Sequence, residues 1–434
     1  MNHGPATNFR RFSTAVLLGA ALLTTGVLTG CAGKSQHEKN KIAAESRWQD
    51  LRSHVMLETA ENQFLAGQIK QADKTVQDAA RVDPDNPKLF TLAGRIALEK
   101  GELEYAFKLF SRAILLQTPP TDAELTDEQR AKFAIKDPEP YYFQGVVLQR
   151  WQKHDDALER YEAAQRLEPD NPARLLAVAE TLVTLGRYDQ AIAELEDRLD
   201  YFDSNAAIRV TLGHIYGLKG QADKAVEYYR HAAVLSPDDP IVREELARTL
   251  IEAGDPEAGA DVLAELLEQH DQQNRTDLMR RLASAQLDAG RIADARQTYI
   301  EITNLERDRT SDWIKLGELS WRLEDLGGAL IAANKVMDLS PNRHEGYLMA
   351  GMVWQKRDRL EDALRLYDHA ARLVPNDTTP LLMRGLALQK ADKPAAAIRA
   401  YEQALQRDPE DIRAQRLLSA LQSADEAQAG VDVN

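Results

Sequence analysis

The sequence predicts an all-α protein in which a pair of helices repeats about ten times. Three observations predict this fold class. Small residues recur mostly at intervals of 34 residues, a second small residue follows each of them by 12 positions, and prolines recur at a fixed point later in the period. Apolar residues make up 44% of the chain, which is enough to bury the inner faces of such helices.

The first helix of each predicted pair has a small residue at its centre. Seven of the nine intervals between these residues are 34 residues long, and the other two are 51 and 36. A large side chain here would push two packed helices apart, because protein interiors are close-packed. The positions are Ala60, Gly94, Gly145, Ala179, Gly213, Ala247, Ala283, Gly317, Gly351 and Gly385.

The turn that follows the first helix also has a recurring residue. Glycine reaches the left-handed conformation that ends many helices without a Cβ penalty, and aspartate visits it more easily than most residues. Asp358 and Asp392 occupy the turn in two late pairs, whereas Gln152 and Glu324 have no comparable explanation. The remaining six turns have Gly67, Gly101, Gly186, Gly220, Gly254 and Gly290.

The second helix of each pair begins near the second small residue, from Ala72 in the first pair to Ala397 in the last. Its buried face commonly has an aromatic residue, and a proline follows its end because proline cannot continue a helix interior. The aromatic residues are Phe110, Tyr161, Tyr229, Tyr299, Tyr367 and Tyr401. The prolines are Pro84, Pro169, Pro237, Pro341, Pro375 and Pro409.

This order of small residues, aromatic residue and proline resembles the tetratricopeptide repeat family, and segment 211–240 matches it best. The resemblance implies an α-solenoid of about ten antiparallel helix-turn-helix repeats that form a right-handed superhelix. Repeats 6 and 7 depart most from the pattern, with Gly259 in place of alanine and no proline at Asp271 or Arg307. We expect repeats 1–2 over 53–119, an insertion over 120–137, repeats 3–10 over 138–410, and a capping helix and tail over 411–434.

The N-terminus resembles a bacterial lipoprotein signal. Arg10 and Arg11 precede an uncharged apolar run over 14–30, which ends immediately before the single cysteine of the chain, Cys31. The resemblance implies a signal peptide over 1–30, a lipidated cysteine and tether over 31–52, and anchoring to the membrane through Cys31. Ala32 favours, by the same resemblance, the outer membrane facing the periplasm. The alternative is an uncleaved membrane anchor with an incidental cysteine.

The sequence argues against several classes of function. A net charge of −15 disfavours a nucleic-acid partner, which requires a basic surface. The chain has no glycine-rich phosphate loop, no Gly-x-Ser-x-Gly and no His-Glu-x-x-His motif, and a single cysteine excludes an intramolecular disulfide and a multi-cysteine metal site. We therefore expect no enzyme activity, no cofactor and no metal.

The family resemblance places a partner site in the concave groove lined by the first helices. Arg248 and Arg280 fall in adjacent repeats and are predicted to hold a peptide carboxylate. The alternatives are that these arginines pair with Glu244 and Asp277, and that Trp321 only packs between repeats. The predicted groove residues are Tyr142, His214, Arg248, Arg280, Glu318 and Trp321.

These observations predict a non-enzymatic, lipid-anchored scaffold that binds a protein or peptide segment during envelope assembly, secretion or export. The alternative is an accessory protein that binds an exported polysaccharide. That alternative requires a continuous track of aromatic side chains, but aromatic residues make up only 6% of the chain and lie mostly in the second helices. A third hypothesis, an enzyme, is disfavoured by the absence of catalytic motifs, and a fourth is a spacer without a groove ligand.

Overall fold

The computed structural model describes residues 36–119, 126, 133, 136–269 and 271–431, and all regular structure in these residues is α-helical. The predicted signal peptide, Cys31 and most of the 120–137 insertion lie outside the described residues. The chain divides into two compact units, Met1–Ile135 and Lys136–Asn434. The described helices of the first unit are α1 (Gln36–Leu65), α2 (Ile69–Val82), α3 (Pro87–Glu99) and α4 (Leu103–Leu116).

The second unit continues with helix pairs of similar length. Each helix contacts the next one along the chain within this unit. The helices are α5 (Glu139–Arg150), α6 (His154–Leu167), α7 (Pro172–Thr184), α8 (Tyr188–Glu196), α9 (Ala206–Leu218), α10 (Ala222–Leu235), α11 (Pro240–Glu252), α12 (Pro256–Glu268), α13 (Thr276–Asp288), α14 (Ile292–Leu305), α15 (Thr310–Arg322), α16 (Leu326–Leu339), α17 (His344–Lys356), α18 (Leu360–Leu373), α19 (Thr379–Lys390), α20 (Pro394–Arg407) and α21 (Ile412–Val431).

The recurring small residues lie where two helices approach most closely, so the predicted all-α repeat fold is confirmed. A Cβ atom on Gly351 would stand 2.6 Å from Cε1 of Tyr367, and one on Gly385 would stand 2.2 Å from Cε1 of Tyr401. Both tyrosine side chains are fully buried. The aromatic residue of the second helix therefore fills the space that the small residue of the first helix leaves open.

All ten turns between the two helices of a repeat have a residue in the left-handed region. The six glycines have φ between 69° and 88°. Gln152, Glu324, Asp358 and Asp392 have φ between 56° and 60°. The backbone is thus the same in every repeat, and the non-glycine residues adopt it against their own steric preference.

The repeated Pro-Asp-Asn-Pro segments end one helix and begin the next. The side chains of Asn86 and Asn171 accept hydrogen bonds from the backbone N–H groups of Lys88 (3.1 Å) and Ala173 (2.9 Å). In each case the following proline is the first residue of the helix, where its missing N–H group has no cost.

Helix α1 begins at Gln36, so residues 36–52, which were predicted as part of the tether, are helical. Trp48, Leu51 and Val55 lie along one side of α1 and are 60%, 65% and 54% exposed. The residue equivalent to Val55 in later repeats is buried, as Leu89 (1%) and Ile208 (0%) show. The first repeat therefore has an open face where later repeats are covered.

Helix α21 covers the last repeat, as the predicted capping helix would. Ala414 and Leu421 are buried against α20, whereas Ile412, at the start of α21, is 61% exposed. Asp411 precedes the helix and accepts hydrogen bonds from the side chains of Thr378 and Arg413. The hydrogen bond from Arg413 is the main cause that holds the pKa of Asp411 well below its usual range.

Candidate functional site

A cavity of about 170 Å³ lies between α15, α17 and α19, the first helices of the last three repeats. Trp321 is half-buried, so its indole ring is held in place while it still lines the cavity. The amide of Gln355 is oriented by Tyr367, whose hydroxyl donates a hydrogen bond of 2.7 Å to Oε1 of Gln355. The lining residues, which we call the Trp321 pocket, are Trp321, Met352, Gln355, Lys356, Met383 and Lys390.

The two lysines of the Trp321 pocket are only weakly paired. Nζ of Lys356 lies 3.6 Å from Oε1 of Glu324, and Nζ of Lys390 lies 3.6 Å from Oδ1 of Asp358. The carboxylate side chains are 80% and 87% exposed. Exposed ion pairs of this kind contribute about 0–1 kcal/mol, so both ammonium groups remain available to a ligand.

His214 and Arg248 line a second cavity, of about 470 Å³, between α9 and α11. Arg248 is already engaged, because its guanidinium lies 2.5 Å from Oε2 of Glu245 and 2.7 Å from Oε1 of Glu252. Glu244 of the same helix, which was the predicted alternative, binds Arg275 and Arg281 instead. The carboxylates of Glu245 and Glu252 neutralise the arginine that was expected to hold a peptide carboxylate.

Arg280 holds two successive repeats together. Its Nη2 atom lies 2.8 Å from Oδ2 of Asp312 and 2.5 Å from Oε2 of Glu306. The Asp312 side chain is only 5% exposed, so this pair is largely removed from water. Asp277, the alternative partner considered above, binds Arg275 instead, at 2.6 Å. Arg280 therefore does not share a cavity with Arg248, although the two residues fall in adjacent repeats.

Tyr142 and Glu318 lie apart from both cavities. The ring of Tyr142 is half-buried, stands 5.4 Å from the ring of Tyr161, and lies 4.4 Å below the guanidinium of Arg174. Glu318 is exposed and binds Lys315 at 2.9 Å. The structure thus distributes the six predicted groove residues over several helices and brings only His214 and Arg248 together in one cavity.

The sequence analysis missed four lining residues of the Trp321 pocket, namely Gln355, Lys356, Met383 and Lys390. A signal was present, because the two lysines are separated by one 34-residue period. They lie at the end of the first helix, one position beyond the residue equivalent to Trp321, which is the last predicted groove position.

The described residues contain no group of histidine, cysteine, aspartate and glutamate side chains that is suited to hold a metal ion. Within the same ranges, no helix has the length and apolar character needed to cross a membrane.

Comparison with known proteins gives tetratricopeptide repeat models that match residues 152–216, 193–315 and 382–424. The DnaJ homolog subfamily C member 7 homolog of Schizosaccharomyces pombe is 27% identical over 197 residues, which are 42% of this chain and 38% of that protein. The human protein O-mannosyl-transferase TMTC1 is 21% identical over 192 residues, which are 43% of this chain and 20% of that protein.

The match to this chain thus spans less than two-fifths of the length of each of these relatives. Among solved structures, YrrB, described as a TPR protein with an unusual peptide-binding site, is 16% identical with a TM-score of 0.36, and the match covers 44% of this chain and 96% of that one. The segments that the family models match consist of the observed helix pairs. The chain carries tetratricopeptide repeats.

Proposed function

We propose that this chain is a non-enzymatic, lipid-anchored scaffold of the cell envelope that binds a peptide segment of a partner protein in the groove formed by the first helices of its repeats. Tetratricopeptide repeats point to protein–protein interaction. The observation that carries the groove proposal is the Trp321 pocket, to which three successive repeats contribute.

The size and lining of the pocket support a peptide ligand. A volume of about 170 Å³ lies below the range of roughly 300–1,000 Å³ typical of small-molecule sites. It suits a side chain of a longer segment that continues along the groove. Tryptophan is common among residues that dominate interface energies, and methionine adapts to irregular apolar shapes.

The proposed anchor depends on the sequence around Cys31. The uncharged run over 14–30 and the segment Leu28-Thr29-Gly30-Cys31 support cleavage before the cysteine and its lipidation. Two or more acyl chains on one residue give stable membrane attachment, whereas a single chain gives only marginal binding. The proposed location is the outer membrane, with the repeats in the periplasm.

A crosslinked pull-down from cell envelopes tests the groove. We expect the protein to capture a partner that the Trp321→Ala variant loses, with the circular dichroism spectrum unchanged. Ile331→Ala is the matched control, because Ile331 is a large apolar residue that is 62% exposed on α16, the second helix of the same repeat. Equal capture by all three proteins would reject the groove as the binding site.

Metabolic labelling with a palmitate analogue tests the anchor separately. We expect label in the intact protein and in Trp321→Ala, and none in Cys31→Ser, which should also leave the membrane fraction. Membrane association of Cys31→Ser without label would instead support the uncleaved anchor.

A further inference from the structure

We propose that the Trp321 pocket selects an acidic segment, in which one apolar side chain enters the pocket and carboxylates on both sides of it bind Lys356 and Lys390. This proposal rests on the proposed function, because it assumes that the groove binds a peptide, and it names the chemical class of that peptide.

The charge of the pocket is opposite to the charge of the chain. The protein has 69 acidic and 54 basic residues, so its surface is acidic on average. The six residues that line the Trp321 pocket nevertheless include two lysines and no carboxylate. The ligand that complements this lining has an apolar centre and negative charge at its sides.

Two other cavities of the same unit have a different balance of charges. In the His214 cavity, Glu245 and Glu252 accompany Arg248 and bind it. A neighbouring cavity between α11 and α13 has three carboxylates in its lining, from Glu244, Glu252 and Asp288. Its two arginines, Arg248 and Arg281, lie beside Glu252 and Glu244. A cation that is already bound on both sides offers little to a ligand carboxylate, whereas Lys356 and Lys390 each face one distant and exposed partner.

The two lysines occupy the same position in successive repeats, on α17 and α19. Packed helices lie roughly 8–10 Å apart, and an extended peptide covers this distance with about three residues. Met352 and Met383, from the same two helices, line the pocket together with Trp321 and supply its apolar surface. We therefore expect two carboxylates about three residues apart, with the apolar residue between them.

A positional peptide library tests the proposal on the mature chain. The probes are fluorescent peptides with a fixed central leucine or phenylalanine, flanked by acidic, neutral or basic residues. We expect the protein to bind acidic-flanked peptides about tenfold or more tightly than basic-flanked ones, and salt to weaken the preference. The Lys356→Glu, Lys390→Glu double variant should reverse the preference, which also shows that the variant is folded.

Lys315→Glu is the matched control. Lys315 is 52% exposed on α15 and binds Glu318, but it does not line the pocket. We expect the Lys315→Glu variant to keep its preference for acidic-flanked peptides. The Trp321→Ala variant should no longer select leucine or phenylalanine at the central position. Binding of no peptide would reject the proposed groove function, whereas binding without a flank preference, or with one that the double variant keeps, would overturn only the acidic-segment proposal.

Alginate, an acidic polysaccharide without apolar side chains, is the last probe. We expect it to compete poorly with an acidic-flanked leucine peptide at equal carboxylate concentration. Competition as strong as that of the peptide itself would overturn the acidic-segment proposal in favour of a carbohydrate ligand.

Discussion

Repeats 9–10 (α17–α20) and repeats 6–7 (α11–α14) have the same helix-turn-helix form, but different contacts stabilise them. In the former, which we call the ring-packed repeats, a tyrosine ring lies against glycine and its hydroxyl binds a glutamine, as in Tyr367 with Gln355. In the latter, the charge-linked repeats, arginines join one repeat to the next. Arg275 binds Glu244 at 2.6 Å, and Arg280 binds Asp312 at 2.8 Å.

The charge-linked repeats also lack some recurring residues of the other repeats, because Gly259 stands in place of alanine and Asp271 and Arg307 stand in place of proline. Gly259 replaces an alanine because a Cβ atom there would stand 2.6 Å from Cγ1 of Ile251 and 3.0 Å from the carbonyl oxygen of Ala247. Helix α12 therefore packs closely on α11 without an aromatic ring between them. A repeat can depart from the family pattern when charges between repeats take over part of the stabilisation.

Removal of Arg280 should have the largest effect. Arg280→Ala leaves Asp312 buried with only Arg309, 3.9 Å away, to compensate it. We expect the free energy of unfolding, measured with urea, to fall by about 3 kcal/mol. The Arg280→Met, Asp312→Leu double variant should recover most of this loss, because apolar residues can replace a buried ion pair.

The control for this prediction is Arg281→Ala. Arg281 is 57% exposed and lies 3.4 Å from Glu244, so its removal should cost less than about 1 kcal/mol. If the Arg280→Met, Asp312→Leu variant were as unstable as Arg280→Ala, apolar residues could not replace this ion pair, and the prediction would be wrong.

A methyl group in the ring-packed repeats should have a smaller effect. Gly351→Ala pushes against the buried ring of Tyr367, and we expect a loss of about 2 kcal/mol in the same measurement. Gly217→Ala is the matched control, because no heavy atom lies within 4 Å of its Cβ position and alanine is the better helix former. It should stabilise the protein, and destabilisation by both substitutions would contradict close packing as the cause.

Acid should lower the free energy of unfolding through the carboxylates that bind the arginines of the charge-linked repeats. Hydrogen bonds from Thr276 and then from Arg280 hold the pKa of Glu306 below its ordinary value. A carboxylate with a lowered pKa stabilises the folded state above its unfolded pKa, and this contribution is lost as the pH falls. We expect the intact protein to lose more stability than Glu306→Gln between about pH 5 and pH 3.

The control for the pH dependence comes from the ring-packed repeats. Tyr367→Phe removes the hydrogen bond to Gln355 without a change of charge in this range. Its stability should follow that of the intact protein in parallel across the acid range. An unchanged acid dependence in Glu306→Gln would exclude this carboxylate as a contributor.

The turn should give the smallest effect, because both kinds of repeat share it. Gln152 has φ of 60° and Gly290 has φ of 76°. We expect Gln152→Gly to raise the free energy of unfolding by about 0.5–1 kcal/mol and Gly290→Gln to lower it by a similar amount. If both substitutions changed the free energy of unfolding in the same direction, the left-handed turn could not be the common cause of the two effects.

Most of the fold could be predicted because its determinants are local and periodic. The small residues, the turn residues and the prolines each recur with the repeat, and Gly351 and Gly385 lie against the rings expected from that period. The N-terminal boundary was less predictable, since residues 36–52 continue a helix and have no repeat signal of their own.

The candidate site was less predictable because its charges pair across repeats. Arg280 binds residues 26 and 32 positions away, and no helix periodicity relates such partners. Trp321 lines the cavity between α15, α17 and α19, but its place in a partner-binding groove stays a prediction, as do those of the other five residues. Lys356 and Lys390 were not predicted as groove residues because they lie at the end of the first helix rather than at its centre.

The open face of α1 has an optical consequence. Of the five tryptophans in the chain, Trp48 is the most exposed, at 60%, and the others are half-buried. We therefore expect its emission to be the most red-shifted and the most accessible to iodide, since the guanidinium of Arg52 lies 5.3 Å from the ring. A molecule that binds to the open face of α1 should therefore shift the emission of Trp48 to shorter wavelength and protect it from quenching by iodide.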